Sequence, residues 1–260
     1  MNDPEEILSY WFPPGHDADG ETLHRRSMWW FRGGPEVDEE IIERFTPIVE
    51  RAHRGELDFW ADTPRGRLAL IIVLDQFSRS VYRDTPMAYA GDEKALRLAL
   101  EGIEAGMLRE LTDTERLFFT IPLGHSEDPA LHDFAVRLRE EEVANAPPHL
   151  RAWHEVVLYQ ATGHRDIIAR FGRHPHRNEI LGRPSTPEEI EYLENETPVH
   201  RRKVPGEESV LSEENKIIVR RVMEEVVNGG DMGVVEELFS GDYVDHNLPP
   251  GGSHREALVE

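Results

Sequence analysis

The longest uninterrupted apolar stretch of the chain, Leu68–Leu74, limits the folds that the sequence can adopt. A run of this length suits either a strand buried on both faces or a helix buried on all sides. Thr63 and Pro64 precede it as an N-cap and a first helical residue, and no proline follows before Ser80. We therefore predict a central buried helix that begins after Thr63 and ends near Ser80.

Capping residues and helical periodicity recur along most of the chain before residue 200. The further predicted helices begin at Pro4 after an Asp3 cap and span about Pro35–Arg54, Asp92–Ala105, Thr112–Pro122, Pro129–Asn145, Pro148–Phe171 and Thr186–Asn195. Pro47 lies inside the second of these and is expected to kink it. No hairpin signal or alternating strand appears there. The sequence predicts an all-α fold in which short connections favour antiparallel neighbours.

The composition changes after residue 194, where charged residues, prolines and a glycine replace the periodic pattern. We therefore predict a helical domain over residues 1–195, a hydrophilic linker over 196–212 and a short helical segment over 213–260.

The overall charge excludes several classes of protein. The chain has 51 acidic and 29 basic residues and a net charge of −22, so it would repel nucleic acids and anionic membranes. It has no cysteine, which excludes disulfides and thiolate metal sites. The acidic N-terminus lacks the apolar region of a secretory signal, and Leu68–Leu74 is too short to cross a bilayer. We expect a cytoplasmic protein without nucleic-acid or membrane partners.

Ordered sequence motifs before residue 195 resemble a known bacterial family. The matching stretches are Ile7–Phe12, Gly55–Leu57, Leu74–Arg79, Pro122–Asp128 and, above all, His164–Arg183. On these stretches residues 5–194 resemble the domain of unknown function numbered 924. The resemblance implies an all-helical fold similar to tetratricopeptide-type superhelices and no established activity. The sequence departs from the family pattern at His174, where the family has phenylalanine.

The C-terminal segment resembles a second family. Asn215–Arg221, Val227–Asp231 and Tyr243–Asn247 are similar to the opening of a SnoaL-like domain, of the polyketide-cyclase or ester-cyclase class. That fold is an α+β cone whose sheet and catalytic groups come later in the chain. The resemblance therefore implies a truncated N-terminal fragment over residues 213–260.

The segment His164–Arg183 reverses the charge of the chain, with five arginines against two acidic residues. Guanidinium groups bind carboxylate and phosphate in a bidentate manner. One interpretation is an anion site built from Arg173, His176, Arg177 and Asn178. The alternative is that these arginines pair with carboxylates of the same domain and fix its last helices.

Further polar candidates lie at the edge of the predicted core. Asp75 and Arg79 are spaced for an intrahelical ion pair, and with Gln76 they would line the floor of a cavity. Asp128 is the remaining candidate for ligand binding, and in the alternative interpretation it caps the helix that follows it.

His125 and Glu127 suggest an acid–base pair, which His176 would complete as a catalytic set. The competing interpretation is helix capping by the segment His125–Asp128. No HExxH pattern is present and Pro175 separates two histidines, so we expect neither a metal site nor a cofactor.

Three functions follow from these patterns. The first is a helical domain that binds a small anion or an acidic peptide segment through an Arg/His-lined site. The second is a hydrolase- or isomerase-type enzyme, and the third is a structural interaction domain. Convergence of the segments around residues 76, 125 and 176 on one site would favour binding or catalysis.

Overall fold

The computed structural model describes residues 3–196, and every regular element among them is helical. Helix α1 (Pro4–Trp11) begins at the predicted cap, where the Asp3 carboxylate accepts the Glu5 N–H at 3.1 Å. Helices α2 (Gly20–Arg32) and α3 (Gly34–His53) follow. For these residues the all-α prediction is confirmed.

The predicted central helix is present and contains an irregular turn. It consists of α4 (Pro64–Ile71), a π-helical turn (Ile72–Phe77) and α5 (Ser78–Val81) in direct succession. Residues 68–74 have no exposed surface, so the stretch is buried on all sides. In the π turn the Ser78 N–H bonds to the Val73 carbonyl, five residues earlier. The extra residue of this turn was not predicted.

The remaining helices are α6 (Asp92–Glu104), α7 (Asp113–His125), α8 (Pro129–Asn145), α9 (Arg151–Phe171) and α10 (Pro187–Asn195). Helix α8 lies along α9, and α7 packs against both α6 and α8. Short 3₁₀ turns at Asp58–Asp62, Pro86–Tyr89, Met107–Glu110 and Pro175–Arg177 complete the connections.

One predicted helix end was wrong, and one helix was not predicted. Helix α7 continues through Pro122 to His125, because a proline removes only one backbone donor and the ring of Pro122 is buried in the domain. Helix α2 was not predicted at all. Its consecutive aromatic residues obscure the periodicity: Trp30 is buried, Trp29 packs against Tyr10, and Phe31 is largely exposed.

One hydrophobic core joins residues from α1 to α9. Aromatic rings lie at its centre, where Trp11 is 5.5 Å from Phe77 and 5.4 Å from Phe118 between ring centroids. Across residues 3–196 no helix has both the length and the apolar character needed to cross a membrane. The predicted linker beyond Glu196 and the predicted fragment 213–260 lie outside the described residues.

Candidate functional site

Asp75 is the buried acid around which the candidate site is arranged. It lies in the π turn and has no exposed surface. Its Oδ2 accepts a hydrogen bond from the Gln76 side-chain amide. Its Oδ1 lies 2.7 Å from Nδ1 of His125, the last residue of α7. Turns of the π type occur frequently at functional sites, where the added residue redirects side chains.

Arg79 connects Asp75 to the beginning of α6. Its Nη2 lies 3.2 Å from Asp75 Oδ1 and 3.1 Å from Oδ1 of Asp92, the first residue of that helix. The two elements approach closely because Gly91 has no side chain: a Cβ there would lie 2.3 Å from the Leu74 carbonyl oxygen.

Arg177 reaches the same carboxylate from the C-terminal part of the domain. Its Nη1 donates to Asp92 Oδ2 at 3.1 Å. The guanidinium carbons of Arg177 and Arg79 lie 4.8 Å and 5.3 Å from the centroid of the Tyr89 ring. The arginine–aspartate cluster is defined here as Asp75, Gln76, Arg79, Asp92, His125 and Arg177.

The charges of this cluster influence each other strongly. Burial alone would raise the pKa of Asp75, but the adjacent His125 and Arg79 outweigh it and hold this pKa below its usual range. Burial lowers the pKa of Arg177, and the nearby positive charge of Arg79 lowers it further. The cluster therefore holds an ionised carboxylate next to two guanidinium groups that repel one another.

Two other candidates from the segment His164–Arg183, Arg173 and Asn178, belong to a second polar network. Arg173 donates to both oxygens of Glu189 at 2.6 Å and 2.7 Å, and Asn178 donates to the same carboxylate at 3.2 Å. Arg173 is the main cause that lowers the pKa of Glu189 to about 2. The structure thus separates Arg173 and Asn178, which face Glu189, from Arg177, which faces Asp92.

The three predicted catalytic residues contact different partners. His125 contacts Asp75 and Arg79. Glu127 accepts two hydrogen bonds from Arg183 at 2.7 Å and 3.0 Å and one from the His174 backbone N–H at 2.8 Å. These bonds hold the end of the segment His164–Arg183 close to the start of α8.

His176 and Asp128 occupy different positions. The ring of His176 lies 5.4 Å from that of His174. Asp128 caps α8, since its carboxylate accepts the Ala130 N–H at 2.9 Å. This is the capping alternative considered for the segment His125–Asp128.

Four histidine rings lie close together in this part of the domain, those of His132, His164, His174 and His176. No group of three or more histidine, cysteine or acidic side chains with the geometry to hold a metal ion occurs among residues 3–196. His174 is nevertheless surrounded by imidazoles, with the rings of His132 and His164 both 5.8 Å away.

Four of the residues predicted to bind a ligand or act in catalysis lie in the arginine–aspartate cluster: Gln76, Arg79, His125 and Arg177. Asp92 was missed as a site residue, because an acidic residue that opens a helix is ordinarily explained by the helix dipole. The preceding residue, Gly91, could have indicated the site, since a close approach of two backbone segments often requires glycine.

Comparisons with known proteins agree with this architecture. The family described as "Bacterial protein of unknown function (DUF924)" matches residues 7–197. A solved structure, that of a protein of unknown function, ATU0120, from Agrobacterium tumefaciens, is 34% identical with a TM-score of 0.59. The similarity covers 74% of this chain and 96% of that one. No curated protein matched the chain. The protein described here therefore belongs to the DUF924 family.

Proposed function

We propose that this protein binds a small molecule with a carboxylate or phosphate group at the arginine–aspartate cluster. The observation that carries the proposal is the Nε atom of Arg177, which is buried and has no hydrogen-bond acceptor among residues 3–196. A buried donor without an acceptor is costly, and a bound oxygen would remove that cost. Carboxylate and phosphate oxygens match the planar guanidinium group best.

The charges of the cluster also favour an anion. Arg79 and Arg177 share the carboxylate of Asp92, and Asp75 divides its hydrogen bonds between Arg79, His125 and Gln76. Arg79 also donates to the Ala88 carbonyl oxygen at 3.2 Å, whereas the Nε donor of Arg177 has no acceptor among residues 3–196. A negative charge placed between the two arginines would reduce their mutual repulsion.

Arg79 and His125 are more exposed than Arg177. The side chain of Arg177 is 8% exposed, whereas those of Arg79 and His125 are 23% and 20% exposed. A ligand would therefore enter over Arg79 and His125 and reach Arg177 with its anionic end. This geometry suits a small molecule or the end of a chain.

The proposal is tested by thermal unfolding in chloride, phosphate and citrate at matched ionic strength. We expect phosphate or citrate to raise the Tm of the wild-type protein. A ligand at about 100 times its Kd adds about 2.7 kcal/mol, which corresponds to roughly 5–10 °C for a domain of this size. The variant Arg177→Met keeps an unbranched side chain beside Tyr89 but removes the donors, so it should lose this increase.

Arg173→Met is the matched control, because Arg173 contacts Glu189 and Pro184 outside the cluster. It should unfold at a lower temperature than the wild type and still respond to phosphate or citrate. Equal wild-type Tm values in all three salts would contradict the proposal, as would loss of the response in the control.

An acidic peptide segment presents the same carboxylate chemistry. A titration of the wild-type protein with citrate and with a short acetylated Asp–Glu peptide distinguishes the two sources. Tighter binding of the peptide identifies the partner as a protein segment, and tighter binding of citrate identifies it as a free metabolite-sized anion.

A further inference from the structure

We infer that His125 is the general base of a hydrolytic reaction at this site, that Asp75 positions it, and that the substrate is an ester bearing an anionic group. The inference rests on the anion site proposed above and adds a reaction to it. The main observation is the hydrogen bond between His125 Nδ1 and Asp75 Oδ1, which is 2.7 Å long.

This short distance determines which ring nitrogen carries the proton. An ionised carboxylate can only accept hydrogen bonds, so Nδ1 of His125 must be the donor. Arg79 Nη2, which can only donate, lies 2.9 Å from the same nitrogen, but Arg79 has acceptors in Asp75, Asp92 and the Ala88 carbonyl, so the shorter contact to Asp75 assigns the proton to Nδ1. If Nδ1 were unprotonated, its lone pair would face the lone pairs of Asp75. The neutral imidazole therefore has its proton on Nδ1 and a free lone pair on Nε2.

The second ring nitrogen, Nε2, is available to accept a proton from a substrate or from water. His125 ends α7, its side chain is 20% exposed, and among residues 3–196 no hydrogen bond to Nε2 is found. The guanidinium group of Arg79 contacts the ring at Nδ1, so it lies close to the imidazole. An anionic group bound at Arg79 and Arg177 would consequently hold the rest of the substrate beside the imidazole.

Asp75 is a positioning residue in this arrangement. It is fully buried in the π turn, and the Gln76 amide and Arg79 hold its two oxygens in place. A carboxylate fixed in this way keeps the imidazole in one tautomer and stabilises the imidazolium that forms during proton transfer.

The proposed reaction starts with the addition of water to the ester. His125 Nε2 removes a proton from water while the water oxygen bonds to the ester carbonyl carbon, and the electron pair of the C=O bond moves onto the carbonyl oxygen. The tetrahedral intermediate re-forms the carbonyl and breaks the bond to the leaving alkoxide, which takes the proton from the imidazolium. Water and ester give a carboxylic acid and an alcohol, and no oxidant or further reactant is needed.

The test uses the full chain and a pair of chromogenic esters with the same acyl length. Mono-4-nitrophenyl glutarate carries a carboxylate, and 4-nitrophenyl valerate does not. We expect saturable hydrolysis of the anionic ester, with a kcat/KM at least about 10-fold above that of the neutral one, an advantage of the size that a charged contact provides.

The variant His125→Asn keeps a donor at the position of Nδ1 but removes Nε2. It should lower kcat by about 100-fold or more while citrate still raises the Tm. His149→Asn, which changes an exposed histidine away from the cluster, is the control for the background reaction of imidazoles with nitrophenyl esters and should match the wild type.

A second measurement does not depend on turnover. ¹⁵N NMR of the histidine side chains should show the Nδ1–H tautomer for His125 in the wild type. In Asp75→Asn the amide group can donate to Nδ1, and the signal should change to the Nε2–H tautomer. An Nε2–H tautomer in the wild type would overturn the inference, as would hydrolysis that His125→Asn leaves unchanged or that never exceeds background. If citrate binds while these tests fail, the anion site stands and only the reaction is lost.

Discussion

His174 is a buried imidazole surrounded by other imidazole rings. Three other imidazole rings surround it at 5.4–5.8 Å, from His132, His164 and His176. Burial, followed by the charge of Arg177, lowers its pKa far below the usual value of a histidine. Burial also lowers the pKa values of His132 and His154. The folded domain therefore keeps these residues neutral.

The neutral histidines predict that the free energy of unfolding decreases at acidic pH. Below about pH 6.5 the unfolded chain takes up protons that the folded one excludes, so this contribution to stability is complete above that pH and is lost as the pH falls. For a single histidine that stays neutral, the loss between pH 6.5 and pH 5 is about 2 kcal/mol. Urea unfolding at several pH values should show a smaller loss for His174→Phe than for the wild type. Equal pH dependence of the two proteins would contradict this explanation.

The candidate site shows which contacts between residues a sequence reveals. The pair Asp75–Arg79 was visible because its partners are one helical turn apart. The bond between Arg177 and Asp92 was not, since 85 positions separate them and nothing local links an arginine in a loop to one particular carboxylate. The positive segment His164–Arg183 was recognised, but whether each arginine meets a carboxylate of the domain depends on the folded arrangement.

Helices were predicted well where capping residues and proline mark their ends. The cap at Thr63 and the capping box at Thr112 both form, because these signals depend on neighbouring residues only. The end of α7 depends instead on packing against distant parts of the core, which local patterns do not contain. The π turn was not predicted for the same reason, since its apolar residues have the pattern of an ordinary buried helix. The start of α2 did carry a local signal that was missed, the Asp19 carboxylate that accepts the Thr22 N–H at 2.7 Å.

The close contact between the π turn and the start of α6 can be tested by adding a side chain at Gly91. In Gly91→Ala the new Cβ would lie 2.3 Å from the Leu74 carbonyl oxygen, so the start of α6 must move away. We expect a loss of about 1–3 kcal/mol in the free energy of unfolding, together with loss of the Tm increase in phosphate because Asp92 moves with α6.

Gly124→Ala provides the control. Gly124 lies in α7 next to His125, and a Cβ there would have no atom within 4 Å. This variant should be as stable as the wild type or slightly more stable, since alanine favours helix over glycine. A stable Gly91→Ala protein that still responds to phosphate would show that the close approach is unimportant.

For the molecule as a whole, the described core is built from residues within the range of the family match. Its buried side chains run from Ile7 to Tyr192, and the match covers residues 7–197. The all-α class was predictable from sequence because helical periodicity and the absence of strand signals are properties of whole segments. The proposed division into a helical domain, a linker and a fragment over residues 213–260 is a prediction that truncation can test.

Removal of residues 205–260 should leave the Tm of the helical domain nearly unchanged. The described core is built from residues between Ile7 and Tyr192, and a segment as short as 205–260 can supply only a small core of its own. Circular dichroism of the shortened and full-length chains on heating provides the measurement. A fall of more than roughly 8 °C would mean that the C-terminal residues stabilise the domain.

The π turn makes the candidate site depend on the length of the chain as well as on its residues. A π turn holds one residue more than the α-helical turn it replaces, and a helix rotates by about 100° for each residue. Loss of one residue of this turn, such as Val73, would restore a regular helix and turn the Asp75 side chain away from Arg79 and His125, although no member of the cluster need be substituted. A chain that keeps all six side chains of the cluster but is one residue shorter in this turn would therefore lack the arrangement.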